Sequence, residues 1–273
     1  MAGTLFVVAT PIGNRADLTP RAIDTLRAVT LIVAEDTRHS APLLAWAGIS
    51  TAMRSYHAHN EAEQTPRLVE RLLSGDDIAL ISDAGTPLVS DPGARLVDAA
   101  IAAGITVTPI PGASAILTAL VASGLPATTF TFVGFLPRAT MERAAAAKSV
   151  LASLHTVIIY EAPPRTADLL ETLAAAGGAE RRAVVARELT KLHEEFRRGT
   201  VAELAAYYAA TAPRGEVVVL LDGAPAVEPD HEAATRRASA LRAEGTSVRD
   251  TVRHLQEEFG VARNEAYRLA QNT

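Results

Sequence analysis

Apolar residues along this chain fall into short continuous runs, separated by longer stretches in which they recur every three or four positions. The runs are Leu5–Thr10, Leu31–Glu35, Ile78–Ser82, Val107–Ile110, Phe130–Phe135, Thr156–Tyr160, Ala183–Glu188 and Glu216–Leu221. Within them apolar residues do not alternate with polar ones. They therefore predict strands covered on both faces, as in a mainly parallel sheet. Thr19-Pro20, Thr65-Pro66 and Asp91-Pro92 each supply a capping residue followed by proline at the first helical position. Gly75 and Gly104 end two of these helices, and Thr200 with Glu203 has the spacing of a capping box. Repeated strand–helix units define an α/β protein.

The connector Pro111–Leu125 falls near the middle of the strand series and divides it. This gives an N-terminal α/β domain over residues 1–118 and a second over 119–225. The segment DGAPAVEPDHE, residues 222–232, reads as a linker. Beyond it, residues 232–273 are helical in pattern, and Gly245 and Gly260 cut them into three short helices. Val248, Val252, Leu255 and Phe259 form one apolar face. The tail resembles a helix-turn-helix.

Composition narrows the chemistry. With 48% apolar residues in 273, the chain can bury a large core, and 4% aromatics leaves that core to Ala, Val, Leu and Ile. The absence of cysteine excludes disulfides, thiolate-held zinc, iron–sulfur clusters and thiol nucleophiles, and fits a reducing compartment. The start of the chain carries no basic leader, and no apolar stretch is long enough for a membrane span, so a cytoplasmic protein is expected. The net charge of −5 argues against a general nucleic-acid binder. It is unevenly spread: residues 231–273 hold seven Arg against six Asp and Glu, so the tail is the more basic part.

The ends of the strands carry unusual loops. TPIGN (Thr10–Asn14), EDTRHS (Glu35–Ser40), DAGTP (Asp83–Pro87) and PGAS (Pro111–Ser114) each follow a strand, and in an open α/β sheet ligands bind beyond the carboxyl ends of strands. Gly85 permits a close backbone approach, and Asp83 can accept from a hydroxyl or an amine. Asp91 is explained as a helix cap. Neither a dinucleotide fingerprint nor a nucleotide phosphate loop is present. His57 and His59 have no evident third partner, so no metal site is expected. In the second half, YEAPPR and ARELTK place Glu161, Arg165, Arg187, Glu188 and Lys191 where strands end, either as ion pairs at the sheet rim or as the lining of a cleft.

Taken together, ATPIGN, AEDTRHS, ISDAGTPLVSDPG, PIPGASA, FVGFLPR, YEAPPR, ARELTK and RGEVVVLL, in this order, closely resemble the ribosomal-RNA ribose methyltransferases of the tetrapyrrole-methylase-like family. The resemblance runs from about Leu5 to Leu221, and the tail is similar to that group's C-terminal helix-turn-helix. It implies a two-domain class III S-adenosylmethionine (SAM) methyltransferase fold, SAM as cofactor in the cleft between the domains, and a homodimer. It also implies a cytidine 2′-hydroxyl in the decoding region of bacterial small-subunit ribosomal RNA as acceptor, the RNA being met as part of the ribosomal particle. By position, Pro11, Gly13, Asp83, Ala84, Gly85, Thr86, Pro87, Gly112, Ala113, Ser114, Ala162 and Gly215 correspond to the SAM pocket.

A 2′-hydroxyl is a poor nucleophile until its proton is drawn away. Candidate bases are Glu35, Asp36, Glu188 and Lys191, and candidate phosphate clamps are Arg38, Arg165 and Arg187. Two other readings stay open. One is a methyltransferase acting on a tetrapyrrole carbon. The other is a non-catalytic RNA-binding or assembly protein, in which the tail binds and the cleft is vestigial. For the tail taken alone, the plain reading is a dimer-packing appendage.

Overall fold

The computed structural model describes residues 1–225 and 230–271 and divides after Gly223 into two compact units. Four residues of the expected linker, 226–229, lie outside the described residues.

The larger unit holds two five-stranded sheets. In the first, β1 (Thr4–Val8), β2 (Leu31–Ala34), β3 (Met53–Ser55), β4 (Ile78–Ile81) and β5 (Thr106–Ile110) are all parallel, in the order β3-β2-β4-β1-β5. Helices α1 (Pro20–Ala28) and α2 (Thr37–Trp46) bury one face around Val8, Ile32 and Ile81. Helices α3 (Glu61–Leu73) and α4 (Ala94–Ala102) bury the other around Leu5, Leu31 and Leu80. All four residues of β2 and of β4 are buried, which is why these strands read as unbroken apolar runs.

The chain then enters α5 (Ala115–Ser123), whose Ile116, Ala119 and Leu120 pack on the second sheet. That sheet contains β6 (Phe130–Phe135), β7 (Thr156–Glu161), β8 (Arg182–Arg187), β9 (Glu195–Thr200) and β10 (Val217–Leu221) in the order β6-β7-β10-β8-β9. Only β6 and β7 are parallel; β10 runs antiparallel to both its neighbours, as does β9 to β8. The expectation of a mainly parallel arrangement therefore holds for the first sheet alone. A continuous apolar run reports burial on both faces, and β10 is fully buried whichever way it points. Its faces are covered by α5 on one side and by α6 (Thr140–Leu151), α7 (Thr166–Leu173) and α8 (Val201–Ala210) on the other.

Two helix starts differ from expectation. α3 begins at Glu61, so Thr65-Pro66 lies inside it, where the buried Thr65 hydroxyl pairs with the Tyr56 hydroxyl at 2.9 Å. α4 begins at Ala94 behind Gly93, which frees Asp91 from capping. Thr19 and Thr200 cap as expected, the latter through a complete capping box with Glu203. The short β3 and polar β9 are edge strands without an apolar run, and escaped the pattern.

The smaller unit contains α9 (His231–Ala243), α10 (Val248–Phe259) and α11 (Arg263–Gln271). Its core is Ala234, Ala238, Val252, Leu255, Val261, Ala266 and Ala270, with Val248 and Phe259 packed against it. Gly245 and Gly260 adopt the left-handed backbone that ends α9 and α10. No helix among the described residues is long and apolar enough to cross a membrane.

Candidate active site

The loops leaving β1, β2, β4 and β5 are tied to one another. Thr10 and Gly85 exchange backbone hydrogen bonds of 2.9 and 3.1 Å. The Asp36 N–H donates to Asp83 Oδ1 at 3.1 Å, and the Thr86 hydroxyl donates to the Ala113 carbonyl at 3.1 Å. Gly85 has φ +82°, and a Cβ there would lie 3.1 Å from Ile12 Cγ2. The close approach of these loops therefore requires glycine at that point.

A loop of the second sheet reaches the same place. Glu188 and Thr190 both have positive φ, and the Thr190 hydroxyl accepts from the Asn14 N–H at 3.1 Å. Lys191 Nζ bridges Glu188 and Glu216 at 3.0 Å each.

Two cavities lie among these loops. The first, of about 340 Å³, takes Ala84, Gly85, Thr86, Ser114, Ala162 and Gly215 into its wall. It also takes Ile12, Asp91, Tyr160 and Glu216, which the sequence did not mark as site residues. The second, of about 350 Å³, is lined by Pro11, Gly13, Ser82 and Asp83 together with Arg15, Arg38 and His39. Pro87, Gly112 and Ala113 belong to the same loops but form part of neither wall. The loop after β4 thus divides: Ser82–Asp83 faces one cavity and Ala84–Thr86 the other.

The titratable candidates separate by environment. Glu35 has its pKa raised, first by burial and then by repulsion from Asp83, Asp91 and Asp36. It lines neither cavity, yet the carboxylates pressing on it come from both. Asp36 is held well below the usual carboxylate range by Arg38, which binds it through Nε at 3.0 Å and Nη2 at 2.7 Å. It also caps α2 by accepting from the Arg38 N–H. Glu188 is lowered by its bond to Lys191 and accepts from the Glu216 N–H at 3.0 Å. Burial works against the charge on Lys191, but Glu188 and Glu216 outweigh it and raise its pKa. A charged lysine takes no proton, and through it the loop after β8 is joined to Glu216 at the start of β10.

Of the candidate clamps, Arg165 is bound to Glu161 at 2.6 Å and Arg187 to Glu195 at 2.6 Å. Arg38 is 89% exposed in its side chain and fronts the second cavity, although it shares Asp36. Tyr160, pushed up to about 12 by burial and by the Asp91 and Glu216 charges, stays neutral.

Gly215 has φ +82°, and a Cβ there would overlap the Glu188 carboxylate. Gly215→Ala is expected to expel Glu188, loosen Lys191 and weaken cofactor binding about tenfold or more, measured by calorimetry against the parent chain.

Residues 4–205 match the model of the tetrapyrrole (corrin/porphyrin) methylases. The chain belongs to that family, and it is a SAM-dependent methyltransferase. Among similar proteins, the ribosomal RNA small subunit methyltransferase I of Pseudomonas aeruginosa is 46% identical, over 93% of this chain and 96% of its own. The protein of the same name from Synechocystis is 44% identical over 98% and 97%. In fold the chain is similar to the uroporphyrin-III C-methyltransferase of Thermus thermophilus complexed with S-adenosylhomocysteine. There the TM-score is 0.56 and the identity 17%, covering 81% of this chain and 97% of that one.

The first cavity suits the cofactor's chemistry. Ile12, Val89, Ala115 and Val218 give it an apolar wall for a heteroaromatic ring. Asp91 stands in it half-buried, its pKa raised by burial, and has no ion-pair partner among the described residues. The Ser82 hydroxyl bonds it, but no cation among the described residues does, and a carboxylate so placed fits a ligand that brings its own positive charge.

Proposed function

We propose that this chain methylates the 2′-oxygen of a cytidine in the decoding region of small-subunit ribosomal RNA, with SAM in the first cavity and the acceptor nucleotide in the second. The observation that carries the reading is the division of the loop after β4. One half faces a cavity with an unpaired carboxylate, and the other faces a cleft fronted by Arg15, Arg38 and His39. Arg15 has no ion-pair partner among the described residues. Guanidinium groups beside a cleft suit the phosphates on either side of a ribose. The relatives named for ribosomal RNA methylation support the same acceptor class.

SAM supplies an activated methyl group on sulfur. The protein has to align the hydroxyl, exclude water and take its proton. Alignment contributes up to about 7–11 kcal/mol in favourable cases. Glu35 is the candidate base: it follows β2 close to Asp83 and Asp91, one from the wall of each cavity, and its pKa is raised where those of Asp36 and Glu188 are lowered. Ala162 and Gly215 close the cavity from the second sheet, and Glu216 stands beside them.

A second copy of the chain is a further expected partner. Leu117 and Val121 on α5, and Phe130, Val133 and Phe135 on the edge strand β6, are exposed apolar side chains suited to a dimer interface. The protein is expected to act in the cytoplasm on the assembled small subunit.

The test uses radiolabelled SAM, the full chain and small subunits from cells lacking it. One methyl per particle is expected, on a ribose, shown by a phosphodiester that resists alkaline cleavage. Transfer to a base, or to a porphyrin precursor and not to RNA, ends the proposal.

A further inference from the structure

The face of the smaller unit that lies away from its core is built unlike the rest of the chain. Arg249, Arg253 and Gln256 follow one another at helical spacing along α10, and Arg263 and Tyr267 do the same on α11. All five are exposed, and together they line a concavity of about 460 Å³ floored by Val252. No acidic side chain lines it. Asp250, next to Arg249 on α10, is already held by the Ser247 hydroxyl at 2.6 Å and by Arg253 at 3.0 Å. Arg249 and Arg263 have no ion-pair partner among the described residues, whereas Arg236, Arg237 and Arg268 each have one. The unit is close to neutral, so its basic groups are concentrated rather than numerous.

We infer that the concavity between α10 and α11, formed by Arg249, Arg253, Gln256, Arg263 and Tyr267, is an RNA-binding site that grips backbone phosphates and stacks one unpaired base on the Tyr267 ring. This rests on the ribosomal-RNA reading for its substrate class. Guanidinium forks match phosphate oxygens in two places at once, and an ammonium does not. A flat ring among such groups is the usual platform for a splayed base, and the Gln256 amide can donate to and accept from a base edge. Tyr267 is 39% exposed, and burying that ring under a base is favourable. A protein surface of acidic residues would satisfy the arginines but leave the ring without a purpose.

The site is tested on the full chain with a fluorescent single-stranded RNA of decoding-region sequence. The double variant R249A/R263A should bind about tenfold or more weakly. The slope of log affinity on log salt should become shallower by about 1.4, because two phosphates are no longer neutralised. Y267A should weaken binding about five- to a hundredfold while Y267F keeps it, because the ring and not its hydroxyl does the stacking. None of these side chains lies in the core, so thermal melting should match the parent chain. SAM affinity should be unchanged.

Equal affinity and slope for R249A/R263A and the parent chain overturn the inference, and so does equal affinity for Y267A and Y267F. Failure of the broader reading is told apart by the parent chain itself, which would then transfer no methyl to the small subunit whatever the tail variants do.

Discussion

Glu35→Gln lowers methyl transfer to ribosomal RNA by about 10²–10⁴-fold, with SAM affinity held. This follows from the burial of Glu35 and, after it, repulsion from Asp83, Asp91 and Asp36, which raise its pKa above the ordinary glutamate value. A carboxylate shifted in that direction is more basic and better able to draw a proton from a ribose hydroxyl. The sign of the pH dependence follows. The base acts ionised, so the rate falls as pH drops through the raised pKa, and the Glu35→Gln variant loses that limb of the profile. The same shift means that the fold disfavours the ionised form. At neutral pH the amide variant should therefore be at least as stable as the parent chain, and that advantage should fade as acid protonates Glu35 in the parent. Single-turnover assays across pH, beside thermal melting, check both signs. A variant with full rate and an unaltered profile removes Glu35 from the chemistry.

Glu161→Ala destabilises the larger unit by about 3–5 kcal/mol, because it strands two guanidinium groups. Glu161 is 2% exposed, accepts from Arg143 at 3.0 Å and Arg165 at 2.6 Å, and lines the first cavity. Arg143 is itself 4% exposed, and its other carboxylate, Asp168, lies 2.9 Å away near the surface. Glu161 also accepts from the Ala162 N–H at 2.8 Å, which fixes Ala162 in the cavity wall. The variant should lose cofactor affinity along with stability. Replacing both ends of the buried pair by apolar residues, Glu161→Leu with Arg143→Met, should recover part of the loss in denaturant unfolding, since the charges then left without their partner, Arg165 and Asp168, are 27% and 66% exposed and reach solvent. A single variant as stable as the parent would show that solvent reaches Arg143 and that the pair is not buried in effect.

These two cases differ in how far the chain alone announces them. Glu35 follows a strand in a polar loop, so its place at the sheet's carboxyl edge is legible from the pattern. Its raised pKa is not, because Asp83 and Asp91 lie about fifty residues away in sequence. Asp91 shows the converse. A helix cap is the natural local reading of Asp-Pro, but Gly93 starts the helix later and leaves the carboxylate in a cavity. Glu161 and Arg165 are visible as an acid and a base four apart, whereas the contribution of Arg143 from α6 is not. Asp36, Glu188 and Lys191 share the residue types of a catalytic base and are each tied up by a neighbour that only the folded chain reveals.

What the chain determined by itself was the α/β alternation, most strand positions, the three-helix tail and the loops that gather at the site. These depend on burial and on backbone conformation, which short stretches encode. The tertiary structure alone decided that the second sheet is mixed, that the loop after β4 serves two cavities, and which carboxylate stays basic. Those depend on charges and edges brought together from distant parts of the chain, where local pattern carries no signal.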